Sequence, residues 1–132
     1  MIDHLGIPVT DHTRARDFYC AALAPLDISV VMEVTAEQTG DKAHTGFGNH
    51  GKPFFWISEC DKGTTPPPGI HIAFTAPTRA LVDAFYHAAL AAGARDNGAP
   101  GLRPHYHENY YGAFVLDTDG NNIEAVCHSP AA

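Results

Sequence analysis

Residues 18–23 read FYCAAL and residues 85–90 read FYHAAL. Five of the six letters agree at an offset of 67, about half of the 132-residue chain. Fourteen residues before Phe18 stands His4, and fourteen before Phe85 stands His71. Each histidine lies in a short alternating run, IDHLGIPV at 2–9 and GIHIAF at 69–74. Alternation at period two predicts a strand, with Ile2, His4 and Gly6 on one face of the first and Gly69, His71 and Ala73 on one face of the second. A helix follows each strand. Thr10 or Asp11 caps the first, whose apolar stripe is Ala15, Phe18 and Ala22 with Tyr19 and Leu23 beside it. Thr78 caps the second, Leu81, Val82, Phe85, Ala88 and Ala89 face inward, and Gly93 stops it.

The later parts of the two copies align more loosely. GKPFFWIS at 51–58 follows a turn at Asn49-His50, and GNNIEAVC at 120–127 follows the Asp117–Gly120 turn. Another apolar strand precedes each, HTGFGN at 44–49 and YGAFVLD at 111–117. Matching Gly51 to Gly120 sets Phe55 opposite Glu124, or Trp56 if the register slips by one residue. Each half therefore reads strand, helix, then about three antiparallel strands. The expected organisation is a single α+β domain over 1–132, with a first module at 1–60, a second at 69–128 and a joint at 61–68. Pro66, Pro67 and Pro68 make that joint stiff and extended.

Composition narrows the function. Hydrophobic residues make up 45% and charged residues 17%, as in a folded globular protein. Eight Lys+Arg against 15 Asp+Glu give a net charge of −7, which argues against a nucleic-acid or anionic-membrane surface. No apolar run reaches the roughly 18 residues of a membrane span. Cys20, Cys60 and Cys127 are odd in number and lack a C-x-x-C, so they read as reduced thiols of a cytoplasmic protein. Nine histidines outnumber Lys+Arg together, and histidine is the commonest metal ligand.

Three side chains stand out. Repeat symmetry gives His4 and His71 matching positions, and Glu124 sits between Ile123 and Ala125 in an otherwise apolar strand. A carboxylate there is costly unless paired, protonated or bound to a cation. Two imidazoles and a carboxylate on one side of a metal form the open facial site of non-haem iron enzymes, which Zn, Mn, Co and Ni also tolerate.

The segments IDHLGIPVTDHTRARDFYCAAL, GIHIAFTAPTRALVDAFYHAAL and YYGAFVLDTDGNNIEAV resemble the vicinal oxygen chelate superfamily, which includes glyoxalase I, extradiol dioxygenases and bleomycin-binding proteins. D-x-D-G-N-x-I-E is the most specific of these features, and the resemblance spans nearly the whole chain. It implies paired βαβββ modules forming an open mixed barrel around a divalent metal (Fe, Zn, Mn, Ni or Co), with His4, His71 and Glu124 as ligands. Homodimers are common in the family, and in some members the site is shared between chains. The chain departs from glyoxalase I at the fourth ligand, a carboxylate in most of its members. Phe55 or Trp56 stands there, and neither binds a metal.

Residues 103–111, RPHYHENYY, form the loop that the resemblance places over the pocket. His105, His107, Tyr106 and Tyr110 are candidates for acid/base work or for orienting substrate oxygens. Arg103 is a candidate anchor for a substrate carboxylate, and Phe55 a candidate substrate contact. The remaining histidines (12, 44, 50, 87 and 128) read as surface or capping residues. The expected activity is metal-dependent chemistry on a small substrate that chelates through neighbouring oxygens, either lyase/isomerase or extradiol-type dioxygenase. The rival expectation is a metal-free, bleomycin-resistance-like protein that binds an aromatic or cationic drug. Without metal it needs none of the three ligands.

Overall fold

The computed structural model describes residues 1–67 and 69–131; Pro68, the last proline of the expected joint, lies outside them. The first module runs β1 (Leu5–Val9), α1 (His12–Leu23), β2 (Ser29–Val34), a single turn α2 (Ala36–Thr39), β3 (His44–Asn49) and β4 (Lys52–Glu59). The second runs β5 (His71–Thr75), α3 (Arg79–Ala91), two short strands β6 (Arg95–Asp96) and β7 (Gly101–Leu102), β8 (Tyr111–Leu116) and β9 (Asn122–Cys127). The first sheet has the order β1-β4-β3-β2 and the second β5-β9-β8-β6, with β7 also paired to β8. In each, the opening strand lies parallel to the closing one. The architecture is α+β with one four-stranded and one five-stranded sheet, as the sequence led us to expect.

The helices start and stop where local chemistry requires. Asp11 accepts the Arg14 amide and Thr78 accepts the Leu81 amide, so each helix has one side-chain cap. Past α1, Pro25 lies in a 3-10 turn, and Asp27 then takes the left-handed conformation at φ 59°. Ala15, Phe18, Tyr19, Ala22 and Leu23 of α1 are buried, and so are Val82, Phe85, Tyr86 and Ala89 of α3. Leu81 and Ala88, expected inward, are half-buried, and Tyr86 takes the core place instead.

Both helices and one face of each sheet share a single core. Phe55 of β4 lies 5.0 Å from Tyr19 and 5.4 Å from Phe74 of β5, ring centre to ring centre. The modules are also tied by the Tyr19 hydroxyl, which donates to buried Asp117, and by Thr10, whose amide donates to Asp119 at 3.2 Å. Asp117 further accepts the Asp119 and Asn121 amides, so D-x-D-G-N is a turn organised around one carboxylate. No helix of the described residues is long and apolar enough to cross a membrane.

Candidate functional site

The candidate groups of the second module gather on the face of its sheet opposite α3. On β9, Ile123, Ala125 and Cys127 enter the core, so alternation turns Asn122, Glu124 and Val126 the other way. On β8 the same rule turns Gly112 and Phe114 toward Glu124, its ladder partner being Phe114. Glu124 is only 1% exposed. Its Oε2 accepts the Tyr110 hydroxyl, and its Oε1 stands 3.1 Å from Nε2 of His71. Gly112 leaves the room for this carboxylate, since a Cβ there would stand 3.2 Å from Oε2.

His71 is held in one tautomer. Its Nδ1 lies 3.0 Å from the Asn122 carbonyl, which only accepts, so the proton sits on Nδ1. In the neutral ring Nε2 is then a bare lone pair facing a carboxylate oxygen. Two lone pairs at 3.1 Å repel unless a proton or a cation lies between them. An imidazole that gives its second N–H to a backbone carbonyl is the arrangement typical of metal-ligating histidine. The ring also stacks on Phe114, at 6.2 Å and 25°. The pair therefore fits a divalent cation, with an imidazole and a carboxylate as donors.

His4 is held elsewhere in the chain. It precedes β1, its side chain is 58% exposed, and its Nδ1 contacts Asp3 Oδ1, which also accepts Lys52 Nζ at 2.8 Å. Among the described residues, no three His, Cys, Asp or Glu side chains converge on one point.

The register of β4 needs correction. The pairing Leu5↔Phe55 puts His4, one step earlier, level with Phe54, whereas His71 is level with Asn122. Two residues on from these partners stand Trp56 and Glu124. The place matched to Glu124 is therefore Trp56, whose ring lies over Gly46. Phe55 points the other way, into the aromatic core, and is 1% exposed. It also borders a cleft of about 470 Å³ with Leu5, Phe54 and Phe74.

The 103–110 loop arrives as a stack of rings. Tyr110 alone of its four acid/base candidates bonds to Glu124, and burial followed by that carboxylate pushes its hydroxyl far above the ordinary phenol value. Tyr106 lies 4.7 Å from Tyr110, and His105 is exposed and 4.2 Å from Tyr106. His107 accepts the Asn109 amide on Nδ1, so its Nε2–H donates to His128 Nδ1 at 2.9 Å. The sequence placed His128 on the surface. The Tyr111↔Cys127 pairing brings it beside the loop. Arg103 donates to the Ala99 and Gly101 carbonyls, each at 2.8 Å, and its Cζ lies 5.3 Å from the Phe114 ring centre. Asn122, Phe114 and Gly112 had no signal of their own. Their roles follow from strand pairing.

The profile of the Glyoxalase/Bleomycin resistance protein/Dioxygenase superfamily matches residues 1–125. No curated protein matches the chain. Among solved structures, a glyoxalase/bleomycin resistance protein from Albidiferax ferrireducens T118 is 27% identical, with a TM-score of 0.78, covering 98% of this chain and 99% of that one. A glyoxalase/bleomycin resistance protein/dioxygenase family enzyme from Burkholderia phytofirmans PsJN is 20% identical, with a TM-score of 0.69 and coverage of 96% and 98%. Glyoxalase I from Zea mays is 14% identical with a TM-score of 0.74; the match takes in 99% of this chain but 45% of that one. With a family profile over nearly its full length and the matching fold beneath it, the chain belongs to the Glyoxalase/Bleomycin resistance protein/Dioxygenase superfamily.

Proposed function

We propose that the protein is a divalent-metal-dependent enzyme of the glyoxalase/dioxygenase type, acting on a small substrate that chelates through vicinal oxygens. The observation that carries this is the buried Glu124 carboxylate facing Nε2 of His71 at 3.1 Å, with Nδ1 of the same ring held by the Asn122 carbonyl. His71 and Glu124 are the ligands from one chain, and His4 of a second copy completes the set in a homodimer. The chain beside His4 supports that completion: Met1 and Ile2 are exposed apolar side chains. The three unpaired thiols fit a reducing cytoplasm.

A bound divalent ion supplies Lewis acidity toward two neighbouring oxygens. The chain's own groups do the rest. Asn122 fixes the His71 tautomer, and Tyr110 holds Glu124 through one oxygen and leaves the other toward His71. Tyr110 keeps its proton at neutral pH, so it serves as a donor and not as a base. His105 and His107 are the exposed imidazoles of the loop. Both chemistries expected from the sequence, lyase/isomerase and extradiol-type dioxygenase, fit this arrangement.

The test is metal analysis of protein purified without chelator, beside His71→Ala and Glu124→Gln. We expect close to one equivalent per site in the wild type and at least a tenfold loss in either variant. A content below about a tenth of an equivalent per chain, unchanged by His71→Ala, refutes the reading and favours a metal-free drug-binding protein. Oxygen uptake with catechols, set against thiol-dependent loss of methylglyoxal, then separates the two chemistries.

A further inference from the structure

Beside the His71–Glu124 pair is a cleft of about 270 Å³ lined by Asn97, Arg103, His105, Tyr106, Phe114 and Asn122. We propose that this cleft is a subsite for the carboxylate of a small ring-bearing substrate, with Arg103 as its receptor. The inference rests on the proposed reading that His71 and Glu124 form the reacting centre.

Charge is the first argument. The chain has 15 acidic residues, yet none lines this cleft. The Arg103 guanidinium gives two of its five N–H groups to neutral carbonyls, those of Gly101 and Ala99. Among the described residues, its contacts are these carbonyls and the Phe114 face, with no carboxylate in ion-pair range. Asp96, next to the cleft-lining Asn97, is turned to other partners: it accepts the Tyr86 hydroxyl at 3.0 Å and the Gly98 amide at 2.9 Å. A fixed positive charge without a counter-charge, in a chain of net −7, is a receptor for an anion.

Rigidity is the second. Two carbonyls and the Phe114 ring hold the guanidinium in one plane. Gly98 and Gly101 keep space for it, since a Cβ at either would stand 3.3 and 3.2 Å from its terminal nitrogens. The ordering cost is thus already met before a ligand arrives. A planar guanidinium with free N–H groups suits a planar carboxylate.

Location gives the third. Phe114 stacks on His71, and the Asn122 carbonyl holds His71, so the cleft and the pair share a wall. Phe114 and Tyr106 line the cleft together with Arg103, so a ring held there meets the guanidinium beside the Phe114 wall shared with His71. The volume falls just under the roughly 300 Å³ at which drug-sized sites begin, which suits a single ring.

The test compares 3,4-dihydroxybenzoate with 3,4-dihydroxybenzamide, its uncharged isostere, by calorimetry and amide shifts in chelator-treated protein. The acid should bind about tenfold tighter or more, its shifts should centre on Asn97, Gly98 and Gly101, and Arg103→Gln should bring the two ligands within about twofold. Arg103→Lys should keep part of the preference. Equal affinities in the wild type, or a preference that survives Arg103→Gln, overturn the proposal. If Arg103→Gln fails to fold, shifts in the wild type confined to other residues overturn it. Displacement of the acid by equimolar inorganic phosphate overturns the choice of carboxylate. Failure of the metal analysis described above, with the acid preference intact, would refute the proposed enzyme while leaving the subsite standing.

Discussion

Replacing Tyr110 by Phe removes one oxygen and leaves Oε2 of a carboxylate that is 1% exposed without its hydroxyl donor. A hydrogen bond to a charged group contributes about 1.5–3 kcal/mol, and a buried acceptor left alone costs a similar amount. Because the other oxygen faces half-exposed His71, water retains some access, and we take about 2 kcal/mol as the expected loss at pH 7. For a domain of this size that corresponds to a fall in Tm of roughly 6–10 °C. The assay is urea unfolding of wild type, Tyr110→Phe, Glu124→Met and the double variant. Since removing both polar partners together is close to neutral, the double variant should recover most of the loss. The pH dependence follows from the raised Tyr110 value. A folded-state pKa above the unfolded value of about 10 gives stability that is complete below pH 10 and is lost as pH rises beyond it. The gap between wild type and Tyr110→Phe should therefore shrink above pH 10, by about 1 kcal/mol from pH 10 to 11 and approaching about 1.4 kcal/mol per pH unit beyond that. Tyr19, Tyr86 and Tyr111, whose hydroxyls are also raised, contribute to the alkaline loss that remains in the variant. A Tyr110→Phe protein within about 0.5 kcal/mol of wild type, or a gap unchanged from pH 8 to 11, refutes the reasoning.

Further outcomes follow from close approaches and backbone strain. A Cβ at Gly48 would lie 1.9 Å from the Lys52 carbonyl oxygen. Backbone cannot yield as a side chain does, so Gly48→Ala should exceed the ordinary overpacking cost of about 1–3 kcal/mol and give little soluble, cooperatively melting protein. Asp27 pays for its left-handed φ of 59°; Asp27→Gly should gain about 0.5–1 kcal/mol in chemical denaturation. Gly112→Ala, with its methyl 3.2 Å from Glu124 Oε2, should weaken metal affinity by about 10–100-fold with a smaller effect on the melt, read by competition with a fluorescent chelator.

Helices and outer strands were legible because their signals are local. Asp11 and Thr78 cap, Gly93 stops, and the apolar stripe of α1 at Ala15, Phe18, Tyr19, Ala22 and Leu23 is the stripe that is buried. The place of Phe55 was not legible, for a reason visible in the ladder. β3 and β4 pair regularly from His44↔Ser58 to Phe47↔Phe55, then shift to Gly48↔Pro53. That bulge inserts one residue at Phe54, whereas the β8–β9 ladder has none. Counting from Gly51 as from Gly120 therefore lands one residue short, and with period two a single residue reverses the face. The joining of His71 to Glu124 needed the parallel β5–β9 pairing, and His128 needed the end of the β8–β9 hairpin. Neither is written in any single stretch of sequence.

The same parity that misplaces Phe55 ties the site to the core. Along β8 and the residue before it, Tyr110, Gly112 and Phe114 alternate with Tyr111, Ala113 and Val115. The first set gives Glu124 its proton donor, its space and the ring on which His71 stacks. In the second set, Ala113 and Val115 are fully buried, and the Tyr111 hydroxyl binds Asp83 of α3 at 2.7 Å. A slip of one residue would turn Phe114 into the core and aim Ala113 and Val115 at the carboxylate, losing packing and site together. Apolar burial in the second sheet thus enforces the register that keeps a donor, a gap and an aromatic floor around one acid. Substitutions that loosen Ala113 or Val115 should disturb the His71–Glu124 pair even though neither residue faces it.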